Sequence, residues 1–166
     1  MIAYIDESKA KSYLFAVHLV APNRQIPLRK ILSQQLLAGQ RSFHFRKESD
    51  RRRIQLIRLL IQLDVRVMIF KIGGCSDVEA RRFLTREISS SATRYGIQDL
   101  VFELDRSCIS NDIAFLNVIR PAIGWDHRER HQEPLLWVAD AVAWCVNRGG
   151  KWERMARPMI LETIDC

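Results

Sequence analysis

The chain opens on an alternation of apolar and acidic positions: in Ile2-Ala3-Tyr4-Ile5-Asp6-Glu7, strand geometry puts Ile2, Tyr4 and Asp6 on one face and Ala3, Ile5 and Glu7 on the other. Ser12 to Val20 is nearly continuous in β-forming apolar residues and reads as a buried antiparallel partner, with Lys9-Ala10-Lys11 as the turn between them. His18 inside that run reads as a hydrogen-bonded structural residue. Leu28, Ile31, Leu32 and Leu36 recur at helical spacing as far as Gly39, which stands where a helix C-cap belongs. Arg41 to Arg46 alternates again and predicts a third, half-exposed strand with Phe43 and Phe45 on its buried face. Glu48-Ser49-Asp50 then opens a helix buried along Ile54, Ile57, Leu60 and Ile61.

Val65 to Ile72 is a strong strand, ended by Gly73-Gly74, which reads as a tight turn rather than a phosphate cradle. Ser76-Asp77-Val78-Glu79 is a capping-box pattern, and the helix it starts carries Phe83, Leu84, Ile88, Ala92 and Tyr95 inward before closing at Gly96. Asp99 to Asp105 alternates as a further strand, with Val101, Glu103 and Asp105 on one side. Asn111 to Arg120 predicts a short helix halted by Pro121, Ile123 to His127 a short edge strand, and Arg128 to Glu133 a charged loop. Leu135 to Val146 is a helix that is apolar on every side, with Pro134 at its first turn, and the second half of the tail from Lys151 reads as a strand.

The deep helix changes the picture, because Asp140 is its only charge. Helical spacing lines up Glu133, Trp137, Asp140 and Trp144, so this carboxylate is walled by two indoles and has to be paired, coordinated or protonated. Asp6, continuing the apolar face of the first strand, carries the same cost, unless the strand stops at Ile5 and Asp6-Glu7-Ser8 is a solvated turn. Acids from three separated segments (Asp6 with Glu7, Glu103 or Asp105, and Asp140) are the hard oxygen set that a pair of divalent cations, Mg²⁺ or Mn²⁺, requires. Glu103 and Asp105 point the same way in the predicted strand and are not separable as ligands.

Composition narrows the partner. The 166 residues are 48% hydrophobic, enough for one compact domain, and the formal charge of +7 rests mostly on arginine, which favours nucleic acid as the partner class. The basic run Arg51-Arg52-Arg53 with Arg58 reads first as a solvated helix face. Four dispersed cysteines offer no zinc-finger spacing and read as reduced thiols. Without a signal-like start or a run of about twenty apolar residues, the expectation is a soluble cytoplasmic protein that does not span a membrane.

Ile5-Asp6-Glu7-Ser8 together with Glu133-Pro134-Leu135-Leu136-Trp137-Val138-Ala139-Asp140 resembles the bacterial family known as domain of unknown function 3800, marked by an N-terminal Asp-Glu and a C-terminal Gln-x-x-Asp. The resemblance implies a ribonuclease H-like α/β fold (an α+β mixed sheet), with a central mixed sheet flanked by helices and a catalytic Asp on the first strand. Here Trp137 stands where the family usually has Gln. His44-Phe45-Arg46-Lys47-Glu48 is similar to a His-x-x-x-Glu element of some relatives, which adds His44 and Glu48, beside Glu133, as secondary candidates. The expected activity is a divalent-metal-dependent nuclease with Asp6, Asp105 and Asp140 as metal ligands, Glu103 as an alternative or additional ligand, and Glu7 or Glu48 in support. The alternatives are a nucleic-acid-binding module of the same fold without catalysis, and a toxin or other protein-interaction component.

Overall fold

The computed structural model describes residues 1–9, 12–118 and 123–166, so the turn at Ala10-Lys11 and the helix stop at Pro121 lie outside the described residues. Strand β1 (Ile2–Ser8) continues through both acids instead of stopping at Ile5, because its partner β2 (Tyr13–Val20) pairs with it along the whole length, Asp6 opposite Ala16 and Glu7 opposite Phe15. Helices α1 (Gln25–Ser33) and α2 (Asp50–Gln62) precede β3 (Arg66–Ile72), and α3 (Asp77–Tyr95) leads to β4 (Asp99–Glu103). Helix α4 (Ile109–Leu116), strand β5 (Gly124–Arg128), helices α5 (Leu136–Arg148) and α6 (Lys151–Ala156), and strand β6 (Ile160–Asp165) complete the chain.

The six strands form one mixed sheet in the order β5-β4-β1-β2-β3-β6. Neighbours β1, β2 and β3 are antiparallel, whereas β4 runs parallel to β1, β5 to β4 and β6 to β3. Strict alternation divides the core into two layers: Tyr4, Leu14, Ala16, Val67 and Ile69 face α1, α2 and α5, while Ala3, Ile5, Phe15, Val17 and Met68 face α3. Asp6 therefore points to the α5 layer and Glu7 to the α3 layer. His18, buried in β2, is structural: its Nδ1 lies 3.0 Å from the Leu135 carbonyl oxygen, and burial pushes its pKa down to about 4.

Local signals hold where they are chemically specific. Ser76 and Glu79 close a reciprocal capping box on α3, whose C-cap Gly96 is left-handed at φ 62°, a conformation that glycine, lacking a Cβ, adopts without strain. Ser49 caps α2 by accepting the Arg52 N–H. Four expectations need correction. Helix α1 ends at Ser33, several residues before Gly39, because the Gln35 and Leu36 N–H groups tighten onto the carbonyls three residues back. Ile61 and Phe83 are partly exposed rather than inward. Strand β4 stops at Glu103, and residues 104 and 105 lead into a turn.

The fourth correction concerns Arg41 to Arg46, which is not a strand. Its alternation is real, but the surface it packs on is α5: the Phe43 ring lies 4.8 Å from Trp137 and Phe45 lies 5.5 Å from Trp144, centre to centre. His44 is extended between them, and a 3-10 turn follows at Phe45–Lys47. Period-two patterning reports a one-sided extended segment, and here the buried side meets a helix. Phe43→Ala is expected to lower unfolding free energy by about 3 kcal/mol, the cost of emptying a packed aromatic site, as measured by urea denaturation.

Candidate active site

The parallel register of β1 and β4 ends with Ile5 opposite Phe102, on the α3 side of the sheet, so the next residue of each strand, Asp6 and Glu103, turns to the α5 side. Asp140 projects from α5, the helix packed across β1. These three acids, from elements far apart in sequence, meet around one cation, Arg130. Its Nη2 lies 2.6 Å from Glu103 Oε2 and 3.4 Å from Asp6 Oδ2, its Nε donates to Glu103 Oε1 at 2.9 Å, and its Nη1 lies 2.9 Å from Asp140 Oδ2. That last contact is Coulombic, since Nη1 is buried and its N–H bonds find no acceptor in line. Arg130 is held by the sheet-to-helix loop and by Trp137, whose indole N–H donates to the Arg130 carbonyl oxygen at 2.7 Å.

Asp140 has further partners. Its Oδ2 accepts the Phe45 backbone N–H at 2.7 Å and lies 3.4 Å from His44 Nδ1. Burial opposes its ionisation, but His44, Arg130 and the Phe45 amide outweigh that and hold its pKa below the usual carboxylate value. Asp6 behaves oppositely. Buried and facing both Glu103 and Asp140, with Arg130 only a partial offset, its carboxyl is pushed well above the usual range. Burial works against the Arg130 charge as well, yet Asp140, Asp6 and Glu103 together raise its pKa. One guanidinium therefore faces three carboxylates.

The remaining candidates are not paired with Arg130. Asp105 borders the same cleft as Asp6 and Glu103 but, contrary to expectation, stays apart from Arg130, because β4 has ended and its Oδ1 turns to accept the Ser107 N–H at 2.9 Å and the Ser107 hydroxyl at 2.6 Å, which lowers its pKa. Glu7 faces α3, where it accepts from the Tyr13 hydroxyl, pairs with Lys9 at 3.0 Å and meets Arg81 Nη1 at 2.5 Å. Arg81 is buried and also forks onto Asp112, both bonds at 2.8 Å, with His127 Nε2 another 2.8 Å from Asp112. Glu7, Asp105 and Cys108 do bring one ligand atom each within 4.8 Å of one another, the only group with metal-ligand spacing among the described residues. Glu133 accepts from Arg29 at 2.8 to 3.2 Å and from the Leu135 N–H at 3.2 Å, which ties α1 to the start of α5. Buried Glu48 accepts from Gln40 at 3.1 Å rather than from any group of the Arg130 cluster.

A cleft of about 280 Å³ opens at the carboxyl ends of β1 and β4, lined by Asp6, Glu7, Glu103 and Asp105 among others. A larger cavity of about 520 Å³ lies between α3 and α4, but its walls include Val78, Ala114, Phe115 and Val118, and Arg81 and Asp112 within it satisfy each other. Of the acids around Arg130, Asp6 and Glu103 border the smaller cleft, and Asp140 does not line it. The residue that sequence reasoning missed is Arg130, one of two arginines in the charged loop from Arg128 to Glu133. No periodicity marks it, and the only available signal was electrostatic: two acids expected in buried positions require a nearby cation.

The sheet order, the antiparallel β1-β2-β3 unit and the parallel β4 and β5 define a ribonuclease H-like fold, with the acids at the carboxyl ends of the central strands. A solved structure of this fold matches at a TM-score of 0.61 and 16% identity, covering 89% of this chain and 72% of the other: RNase HII in the structure of the PCNA:RNase HII complex from Archaeoglobus fulgidus. No family model matches the chain. No curated protein matches it either. Among the described residues no helix is long and apolar enough to cross a membrane.

The raised pKa of Asp6 has a defined consequence for stability. An acid whose folded pKa lies above its unfolded value favours the folded state most when protonated, and that contribution is lost as pH rises from the unfolded to the folded pKa. Asp6→Asn keeps the acceptor oxygen that receives the Glu7 N–H and removes the titration. Without metal, the variant should exceed the parent in stability at neutral pH, and the gap should close as pH falls below the unfolded-state carboxyl pKa of about 4. Urea denaturation across pH measures this; a gap independent of pH would contradict the assignment.

Proposed function

We propose that this protein is a divalent-metal-dependent nuclease that hydrolyses phosphodiester bonds, with Asp6, Glu103 and Asp140 holding Mg²⁺ or Mn²⁺. The observation that carries the proposal is the meeting of three carboxylates, Asp6 and Asp140 buried and Glu103 half-buried, around a single positive charge at the carboxyl ends of β1 and β4. The donor set suits the ion in kind: it is all oxygen, it carries more negative charge than Arg130 offsets, and Asp6 and Glu103 border a cleft, although with Arg130 between them the three acids do not stand at metal-ligand spacing. A divalent ion at these oxygens would supply Lewis acidity for an attacking water and for the leaving oxygen.

The chain's own residues do the rest. The Phe45 amide and His44 fix the orientation of Asp140. His44 is half-exposed and directs Nδ1 towards Asp140, which leaves its Nε2 on the far side of the ring, suited to exchanging a proton with a departing alkoxide. Arg46 and Lys47, exposed immediately after it, would contact the phosphate backbone, so binding would weaken as salt rises. The nucleic-acid reading also draws on the RNase HII neighbour and on the formal charge of +7. The resemblance of the Asp6-Glu7 and Trp137-x-x-Asp140 motifs to domain of unknown function 3800 is part of the same proposal.

A second reading is favoured by Arg130 itself: a guanidinium already paired with all three acids suits a nucleic-acid-binding module that kept the fold and does without metal. Cleavage assays on single-stranded, double-stranded and hybrid substrates in Mg²⁺ or Mn²⁺ separate the two. Asp6→Asn and Asp140→Asn should each lower the rate at least about 100-fold, whereas Asp105→Asn should keep most of it. Salt-sensitive binding without cleavage, indifferent to chelator, would establish the module.

A further inference from the structure

We infer that Arg130 occupies the position of the divalent cation and competes with it, so that its displacement, gated by the Trp137 indole, sets how readily the site accepts a metal. The inference rests on the metal-binding reading of Asp6, Glu103 and Asp140. It starts from a mismatch: Arg130 is the common neighbour of all three acids, yet it satisfies them unequally. Glu103 receives a two-pronged hydrogen-bonded contact at 2.6 and 2.9 Å, Asp6 only a long one at 3.4 Å, and Asp140 a close approach without an aligned hydrogen bond. Among the described residues Nη1 accordingly remains a buried donor without an aligned hydrogen bond, close as it stands to Asp140. A planar fork matches one carboxylate well and cannot match three arranged around it.

A divalent ion has no such directional limit, carries twice the charge and prefers the same oxygens. The two cations cannot share the space between Asp6, Glu103 and Asp140, since both would have to lie within contact distance of the same oxygens. Metal entry therefore requires the guanidinium to move out, and any fraction of time it spends inside lowers apparent metal affinity in proportion. The side chain is tethered at one end. The Trp137 N–H holds the Arg130 carbonyl at 2.7 Å, and Trp137 is itself buried against Phe43. The backbone of Arg130 thus stays fixed while its side chain swings clear of the three acids. Arg130 is a positioning residue for the cation in this account, and Trp137 acts through it.

The test is Mn²⁺ affinity, read from the electron paramagnetic resonance signal of free Mn²⁺, on the whole protein without nucleic acid. Arg130→Gln should bind Mn²⁺ about tenfold or more tightly than the parent, as expected if the guanidinium occupies the site roughly nine-tenths of the time. Trp137→Phe, which keeps the ring and loses only the N–H, should lie between them. Metal-free Arg130→Gln should also melt at a lower temperature and recover more on adding Mn²⁺ than the parent does. Should Arg130→Gln not fold, Arg130→Lys decides, because a single ammonium holds the three acids less completely and should also tighten Mn²⁺ binding. Equal or weaker binding in the arginine variants, with the parent binding Mn²⁺ well, overturns the competition and leaves the metal site standing. No Mn²⁺ binding in any protein overturns both.

Discussion

The arrangement around Arg130 follows from bringing three carboxylates, two of them buried, onto one guanidinium. Like charges there cannot all ionise freely, and the protein resolves the conflict unevenly: Asp140 stays ionised under the Phe45 amide, His44 and Arg130, while Asp6 resists ionisation. Such divergence of neighbouring acids is common where a protein manages charge for chemistry, since a stability-driven core would exclude the acids altogether. The cluster accepts a single positive charge, and that charge does not balance its acids.

Adjacent residues of β1 serve two unrelated ionic systems because a strand presents successive side chains to opposite layers. Asp6 belongs to the Arg130 cluster under α5, and Glu7 to the Arg81 cluster under α3. The two differ in how well they are satisfied. Arg81 forks onto Asp112 with matched 2.8 Å bonds, and His127 takes the remaining capacity of the same carboxylate, so that network joins α3, α4, β1 and β5 and leaves little for a ligand to improve. Arg130 keeps a buried donor unmatched. Incomplete satisfaction is costly in a core, and it sets the Arg130 cluster apart from the Arg81 network.

Trp137 links the packing of the fold to this electrostatics. At the position where the resembled family usually carries Gln, an indole makes one hydrogen bond to the Arg130 carbonyl and offers its faces to Phe43. The Phe43 and Phe45 segment, docked on the helix by these rings, in turn delivers the amide and imidazole that orient Asp140. An aromatic choice on α5 thus positions polar groups from both a loop before it and a segment nearly a hundred residues away.

By itself the sequence determined the strands of the sheet, the caps of α2 and α3, the buried character of α5, and the anomaly of Asp6 and Asp140, because these depend on local periodicity and on the cost of a charge in apolar surroundings. It left Glu103 and Asp105 equivalent, since alternation persists only while a strand does, and the end of β4 was settled by where its pairing with β1 and β5 runs out. It read Arg41 to Arg46 as a strand because an extended segment with one buried side has the same pattern whether it meets a sheet or a helix. Only the tertiary structure brought Arg130 in from a charged loop, because the partner of a buried acid is chosen by proximity in space, which no spacing along the chain encodes.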